Sequence, residues 1–408
     1  MNTEVMYQDT RSPLKRPFAD ILLSSLTPSG GLWVPEKIPK YNLQATNFDS
    51  WQGIDFPLLA ADIAAPYVSG WMDKTGLLQL FQKAWAGWGE HPPPLIELSP
   101  QLYLLELFHG PSLSFKDYGL RFLAECFQVE LERQQQKGVV LVATSGDTGA
   151  AAAHALAQMD NIELIILLPQ GRVSDIQLQQ MTCGLGESVH PIQVAGTFDQ
   201  CQAMVKDCLN QPLPKNSRFL SVNSINFGRI LAQMSYYTAT ATHLYQQLGQ
   251  QASFCIPSGN FGNAYAGWIA KQSGAPIDRL QVACNQNDSL HQFFAQGLHR
   301  ADPLPEAQPT LAVAMDISRP SNLERLVFNC AGNSADTYNS WLTDRGNLYL
   351  HADSLNALRE DWSSSTHSDA DILREIARVH EDHGHLIDPH TAIAALSAQQ
   401  MLHNKSSP

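Results

Sequence analysis

Apolar residues in the middle of this chain come in short runs, and each run is followed by a stretch where they recur every three or four positions. The runs at 139–143, 163–168, 189–194, 219–222, 253–256 and 280–283 predict buried strands. The helical spacing predicts helices over 150–159, from 176–181, and over 198–209, 230–248 and 264–271. This alternation predicts an α/β fold of mostly parallel sheets covered by helices. Right-handed crossovers then place the strand-to-helix loops along one edge, where ligands bind. Residues 1–95 read differently. They are rich in Pro, Gly and Trp, with turns at 27–31 and a triple-proline break at 92–94, and predict a separate N-terminal domain. From about position 361 the chain becomes more polar, and 405–408 reads as a flexible tail.

Composition narrows the class. Of 408 residues, 44% are hydrophobic and 16% charged, enough for a sizeable core and against global disorder. The net charge of -13, with no basic run to offset it, argues against nucleic acid as a partner. An anionic ligand would need a locally positive site. The seven cysteines (Cys126, Cys183, Cys201, Cys208, Cys255, Cys284, Cys330) form no Cys-x-x-Cys pair and read as reduced core thiols of a cytoplasmic protein. The first residues lack the pattern of a signal peptide. The longest apolar run, 164–168, is too short to cross a bilayer, so no membrane partner is expected.

Candidate chemistry lies in a few loops. Residues 109–119, HGPSLSFKDYG, set Lys116 behind an aromatic and before an acid. A lysine amine becomes nucleophilic when burial strips its proton, and Phe115, Tyr118 and Leu120 are candidates for the apolar wall. An ordinary lysine at a helix start, capped by Ser112 or Ser114, is the plainer reading of the same residues. Residues 143–149, ATSGDTG, sit between a strand and an alanine-rich helix, with amides and hydroxyls suited to a carboxylate. Residues 257–263, PSGNFGN, have the same setting, and Gly259 and Gly262 let the backbone close around a phosphate. Residues 221–229, SVNSINFGR, gather Asn223, Ser224 and Arg229 for a second phosphate, or use Ser224 as a helix cap. The histidines at 383, 385 and 390 lack the spacing of a metal cage, and no metal is expected. Residues 388–391, DPHT, read instead as a loop entering a helix, with Thr391 as cap or ligand. A lysine amine and a separate phosphate loop are what pyridoxal phosphate needs: one end for its aldehyde, one for its phosphate.

In order along the chain, these segments, with AMDIS at 314–318, PSN at 320–322 and SGGLWVP at 29–35, resemble the threonine synthase family. That family comprises pyridoxal-phosphate enzymes of the tryptophan-synthase-β fold type. The resemblance implies a two-lobed fold type II region at 96–408, after an N-terminal domain at 1–95, with a smaller mobile lobe at about 136–210. It implies that Lys116 forms the Schiff base and shuttles protons. Gly259, Asn260, Phe261, Gly262 and Asn263 would hold the cofactor phosphate. Thr391 would face the pyridine nitrogen, and Asp147 would stand near the ring hydroxyl, where several relatives have asparagine. Thr144, Ser145 and Thr148 would bind the substrate carboxylate, and Asn223, Ser224 and Arg229 the substrate phosphate. Ser112 stands where many members have threonine and keeps the hydroxyl.

The implied reaction converts O-phospho-L-homoserine and water to L-threonine and phosphate, by γ-elimination and β-addition, in a monomer or homodimer. Water must enter late, which implies a lobe that closes on substrate. Three alternatives stand beside it. One is a lyase on the same scaffold that releases a 2-oxo acid. Another is a non-catalytic binding homologue. The third is a nucleotide binder using the Gly-rich loops.

Overall fold

The computed structural model describes residues 4–24, 26–41, 48, 50–144, 146–171, 173–183, 185–209, 211–300, 306–343 and 346–406. They divide into two compact units. The first comprises Met1–Gln8, Leu14–Pro94 and Leu105–Tyr236, and the second Asp9–Pro13, Leu95–Leu104 and Tyr237–Pro408.

The first unit starts with a small sheet of order β2-β1-β3, built from β1 (Met6–Asp9), β2 (Lys15–Pro17) and β3 (Trp33–Pro35). The short helix α1 (Phe18–Leu22) follows β2. Helices α2 (Phe56–Ala64) and α3 (Lys74–Ala84) are N-capped by Asp55 and Asp73, whose carboxylates accept from the Leu58 and Gly76 amides at 3.0 and 2.8 Å. Their aromatic faces receive the long helix α4 (Lys116–Gln134). Phe81 stacks on Phe122 with centroids 4.0 Å apart, and the Trp85 indole donates to the Tyr118 carbonyl at 3.1 Å. Tyr118 also meets Phe56, Trp88 and Tyr236 edge-on. These contacts fix the first turn of α4, and with it the backbone of Lys116.

Next comes a four-stranded sheet of order β8-β7-β6-β9. Its strands are β6 (Lys137–Ala143), β7 (Ile162–Pro169), β8 (Val189–Val194) and β9 (Ser217–Leu220), paired in parallel. Between them run α5 (Asp147–Leu156), α6 (Asp175–Thr182) and α7 (Phe198–Leu209), and α8 (Phe227–Leu248) follows. The central strands are apolar because both faces are covered.

The second unit holds a short hairpin, β4 (Leu95–Ser99) and β5 (Leu102–Leu105), and a parallel sheet of order β10-β11-β14. The latter is formed by β10 (Ala252–Pro257), β11 (Ile277–Cys284) and β14 (Trp362–Thr366). Around it stand α9 (Gly262–Ser273), α10 (Ser289–Gln296), α11 (Leu323–Cys330), α12 (Ala335–Ser340), α13 (Ala352–Asp361), α14 (Asp369–His383) and α15 (Pro389–Ser406). A two-stranded antiparallel pair, β12 (Leu298–His299) and β13 (Leu348–Tyr349), completes it. Ala283, Ala312, Met315, Ile372, Val379, Ala392 and Ile393 share one core cluster, so the helix bearing Thr391 is seated by apolar burial.

Three expectations change. The polar segment after 361 contains a sheet strand, β14, whose serines pair with Gln281 of β11: Ser363 donates to its Oε1 and its Nε2 donates to Ser365, both at 3.1 Å. Positions 405–406 continue α15 rather than forming a tail, and 407–408 lie outside the described residues. Cys183 and Cys208 are exposed, so only some thiols belong to the core.

Candidate active site

Lys116 opens α4 behind Phe115, which supplies no side-chain cap; Ser114 Oγ accepts the Lys116 amide at 3.3 Å, and the Ser112 amide is held by Asp117 at 2.8 Å. Serine capping by Ser112 is thus replaced by a carboxylate reaching back. The Lys116 side chain is 12% exposed, with Nζ 3.0 Å from Asp147 Oδ2 and 5.7 Å from the Phe115 ring centroid. Burial pushes its pKa below the ordinary lysine value, and the Asp147 carboxylate only partly opposes this. Of the proposed apolar wall, Phe115 lies beside the amine, whereas Tyr118 faces the aromatic cluster of Phe56, Trp85 and Trp88.

Asp147 opens α5, directly after the turn from β6. Inside that turn the Thr144 hydroxyl donates to the Gly146 carbonyl at 3.2 Å and accepts from the Gly146 and Gly149 amides at 3.1 Å each. Thr144 therefore holds the turn's shape, and the Thr148 side chain stays half-buried at the helix start. Ser145 lies outside the described residues. The other Asp147 oxygen, Oδ1, accepts from Gln177 Nε2 at 2.7 Å. Gln177, on α6, carries no sequence signal, because a lone glutamine in a polar helix looks like any surface residue.

The turn into α8 is braced by Asn226. Asn226 Oδ1 accepts the Gly228 amide at 3.0 Å, and its Nδ2 donates to the Leu22 carbonyl at 2.9 Å. Asn223 is exposed and Ser224 half-buried. Arg229 is only 4% exposed. Its Nη1 donates to the Val222 carbonyl at 2.9 Å, and its Nε has no hydrogen-bond partner among the described residues. Burial pushes its pKa down to about 10. A buried guanidinium with an unmatched donor is costly unless an anion arrives.

In the second unit the loop from β10 into α9 carries Gly259, Asn260, Phe261, Gly262 and Asn263. A Cβ on Gly259 would lie 3.1 Å from the Ala314 carbonyl oxygen and 3.2 Å from Met315 Cα, so the backbones approach closely there. The Asn260 carbonyl accepts both the Asn322 amide and the Asn322 Nδ2, each at 3.1 Å. Phe261 sits at the helix N-cap with φ 66°, an uncommon conformation for a bulky residue, and packs against Phe294 and Trp362. No side chain caps α9 and no acid lies in its first turn, so its amides keep their capacity for a phosphate. The Tyr237 hydroxyl donates to Asn263 Oδ1 at 3.1 Å.

Thr391 begins α15. Its amide donates to Asp388 Oδ1 at 2.9 Å, so Asp388 is the cap. His390 Nδ1 donates to Asp388 Oδ2 at 2.6 Å, and His390 Nε2 accepts the Ala314 amide at 3.2 Å. Burial alone would raise the Asp388 pKa, but the bonds from His390 and Thr391 overcome it and hold the carboxyl below its usual range. Asp316, inside the 314–318 segment, was not singled out by its sequence. It accepts from Asn285, Asn287 and Thr310 at 2.7–3.0 Å and so fixes the segment that abuts Gly259.

In the first unit stands a buried amine of reduced basicity, and in the second a helix start with no acid in its first turn. Residues 89–340 match the family model of pyridoxal-phosphate dependent enzymes, and residues 6–85 that of the threonine synthase N terminus. The chain belongs to the pyridoxal-phosphate-dependent enzymes of fold type II, with an N-terminal domain. Within that class it belongs to the threonine synthases, lyases of threonine biosynthesis whose cofactor is pyridoxal 5'-phosphate. It is 36% identical to the threonine synthase of Pseudomonas aeruginosa, over 96% of this chain and 83% of that one. The pyridoxal-phosphate-bound threonine synthase of Brucella melitensis has a TM-score of 0.90 at 32% identity, covering 97% of this chain and 85% of that one. Yeast threonine synthase gives 0.90 at 33%, covering 100% and 86%. Among the described residues no helix is long and apolar enough to cross a membrane.

Proposed function

We propose that this chain converts O-phospho-L-homoserine and water to L-threonine and inorganic phosphate, with the residues above in the following roles. Pyridoxal phosphate, when bound, supplies an electron sink that eases proton loss from the carbons next to the substrate nitrogen. Lys116 holds its aldehyde end and, once released, carries protons on Nζ; the lowered basicity of this amine suits both tasks. Residues 259–263 hold its phosphate through backbone amides at the start of α9. Thr391 offers a neutral hydroxyl to the ring nitrogen, and Asp147 a carboxylate near the ring hydroxyl. Thr148 and Ser145 take the substrate carboxylate, while Thr144 keeps their turn in shape.

The observation that carries the substrate assignment is Arg229: a guanidinium with an unmatched Nε, buried in a protein of net charge -13. A phosphate brought by the substrate, with Asn223 and Ser224 beside it, completes its bonding. An amino acid without phosphate would leave the guanidinium unmatched and should be a poor substrate. We place residues 1–95 as the N-terminal domain and 136–210 as a smaller lobe that shifts when substrate binds, keeping water out until the β carbon is ready. The setting is cytoplasmic, without nucleic acid, as a monomer or homodimer.

The test is incubation with O-phospho-L-homoserine, scored for threonine and phosphate together. Equal amounts of both support the assignment. Phosphate with a 2-oxo acid points to a lyase that stops early, and neither product points to a binding homologue.

A further inference from the structure

We propose that Gln177 is a positioning residue: its carboxamide holds the Asp147 carboxylate against the Lys116 amine. The proposal rests on the reading of Lys116 as the amine that takes the cofactor aldehyde. The geometry is a directed chain of hydrogen bonds. Ser174 caps α6 and donates from Oγ to Gln177 Oε1 at 3.3 Å, while accepting the Gln177 amide at 3.3 Å. This orients the carboxamide, because an oxygen that accepts from Ser174 leaves Nε2 facing the other way. Nε2 donates to Asp147 Oδ1 at 2.7 Å, and Asp147 Oδ2 stands 3.0 Å from Lys116 Nζ. Every member has the polarity its neighbour needs, and a glutamate at 177 would set two acids face to face.

A second, independent observation shows that the fold makes room for this contact. A Cβ on Gly146 would lie 2.5 Å from Gln177 Nε2 and 2.6 Å from its Oε1. The neighbouring Gly149 likewise admits Met181 of the same helix, whose sulfur would lie 2.6 Å from a Cβ there. Helix α6 therefore packs on this turn at Gly146 and Gly149, where an added Cβ would displace Gln177 and Met181 from their present places, and Gln177 is the polar residue it delivers.

The consequence concerns the proton on Lys116. Burial favours the neutral amine, and the Asp147 carboxylate favours the ammonium. The other charges facing it are Arg229 from α8, which favours the neutral form, and Asp117 from its own helix, which opposes it. Fixing Asp147 by Gln177 keeps a carboxylate beside the amine, where it opposes the effect of burial and orients Nζ. Only a neutral amine could add to the cofactor's aldehyde, so the proton balance set by Asp147 would govern cofactor uptake.

The experiment measures the rate at which the full-length, cofactor-stripped chain takes up pyridoxal phosphate, followed by visible absorbance across pH 6–10. Gln177→Leu frees the carboxylate, so the midpoint of the rate profile should move down by roughly half to one pH unit. Gln177→Glu adds a negative charge, so it should move up by a similar amount. Ser174→Ala should give a smaller downward shift, and thermal unfolding of each variant checks that it is folded. A purely structural role would change both glutamine variants alike. Midpoints that stay at the wild-type value, or move in the same direction in both variants, overturn the role of Gln177. Lys116→Ala separates the two claims: if it still takes up the cofactor at the wild-type rate, the reading of Lys116 fails, whatever Gln177 does.

Discussion

The turn at 144–149 and the loop at 259–263 both lead from the end of a parallel strand into a helix, yet they leave that helix in opposite states. At the first, the amides of Gly146 and Gly149 are held by the Thr144 hydroxyl, and an acid, Asp147, occupies the first turn of α5 and pairs with Lys116. At the second, no acid or side-chain cap stands at the start of α9, and the loop is braced from behind by Asn322 and the Ala314 backbone. One helix start has its charge balanced by the protein itself; the other is left positive for a ligand to balance. In the proposed roles the same strand–loop–helix unit serves an amine at one place and a phosphate at the other, and first-turn acidity distinguishes the two.

This comparison can be broken at several points. The largest effect is expected at Arg229, a buried guanidinium whose Nε has no partner among the described residues. Arg229→Met should raise KM for O-phospho-L-homoserine by about two orders of magnitude, the scale of a charged hydrogen-bonded contact. The same variant should leave the melting temperature unchanged or raised, because it removes a desolvated charge. A lower melting temperature with KM intact would make Arg229 a structural residue. Next in size is Gly259→Ala. Its methyl group would press on the Ala314 carbonyl and Met315, and overpacking of this kind costs roughly 1–3 kcal/mol. Cofactor affinity, measured by equilibrium dialysis, should fall about tenfold or more, with uptake chemistry at Lys116 unaffected.

How much of this was legible in the sequence depended on where the information lies. The shorter runs of β6, β8, β9 and β10 stood out by their place between helical stretches, and strands β7 and β11 were legible because burial along most of their length requires apolar runs. Strand β14 was not, since its ladder is supported by serine–glutamine pairs that look like a polar loop. The small N-terminal sheet also escaped, having strands of three or four residues with no usable period. Lys116 and the 257–263 loop stood out by residue type and order. Gln177 and the unmatched donor of Arg229 could not, because both depend on which side chains meet after folding. The brace supplied by Asn226 was hidden too, because it joins the Gly228 amide to the Leu22 carbonyl of α1 only after folding.

A smaller effect sharpens the picture around Thr391. Asp388 has a folded pKa below its ordinary value of about 3.9. Its contribution to stability is therefore fully present above that ordinary value and is lost as pH falls through the depressed folded value. Half-exposure of its side chain means that solvent screens part of the effect. Asp388→Ala should cost about 1 kcal/mol at neutral pH, the usual worth of an N-cap, and the difference from wild type should shrink in strong acid. Chemical denaturation at two pH values measures both. A constant difference across that range would show that the carboxylate's charge is irrelevant to the cap.

The most direct measurement is borohydride reduction of the cofactor-loaded protein, followed by peptide mapping. The account predicts one stable pyridoxyl adduct, on the peptide containing Lys116, and its loss in Lys116→Arg together with threonine formation. An adduct on any other lysine, or threonine formed at the wild-type rate by Lys116→Arg, would contradict it.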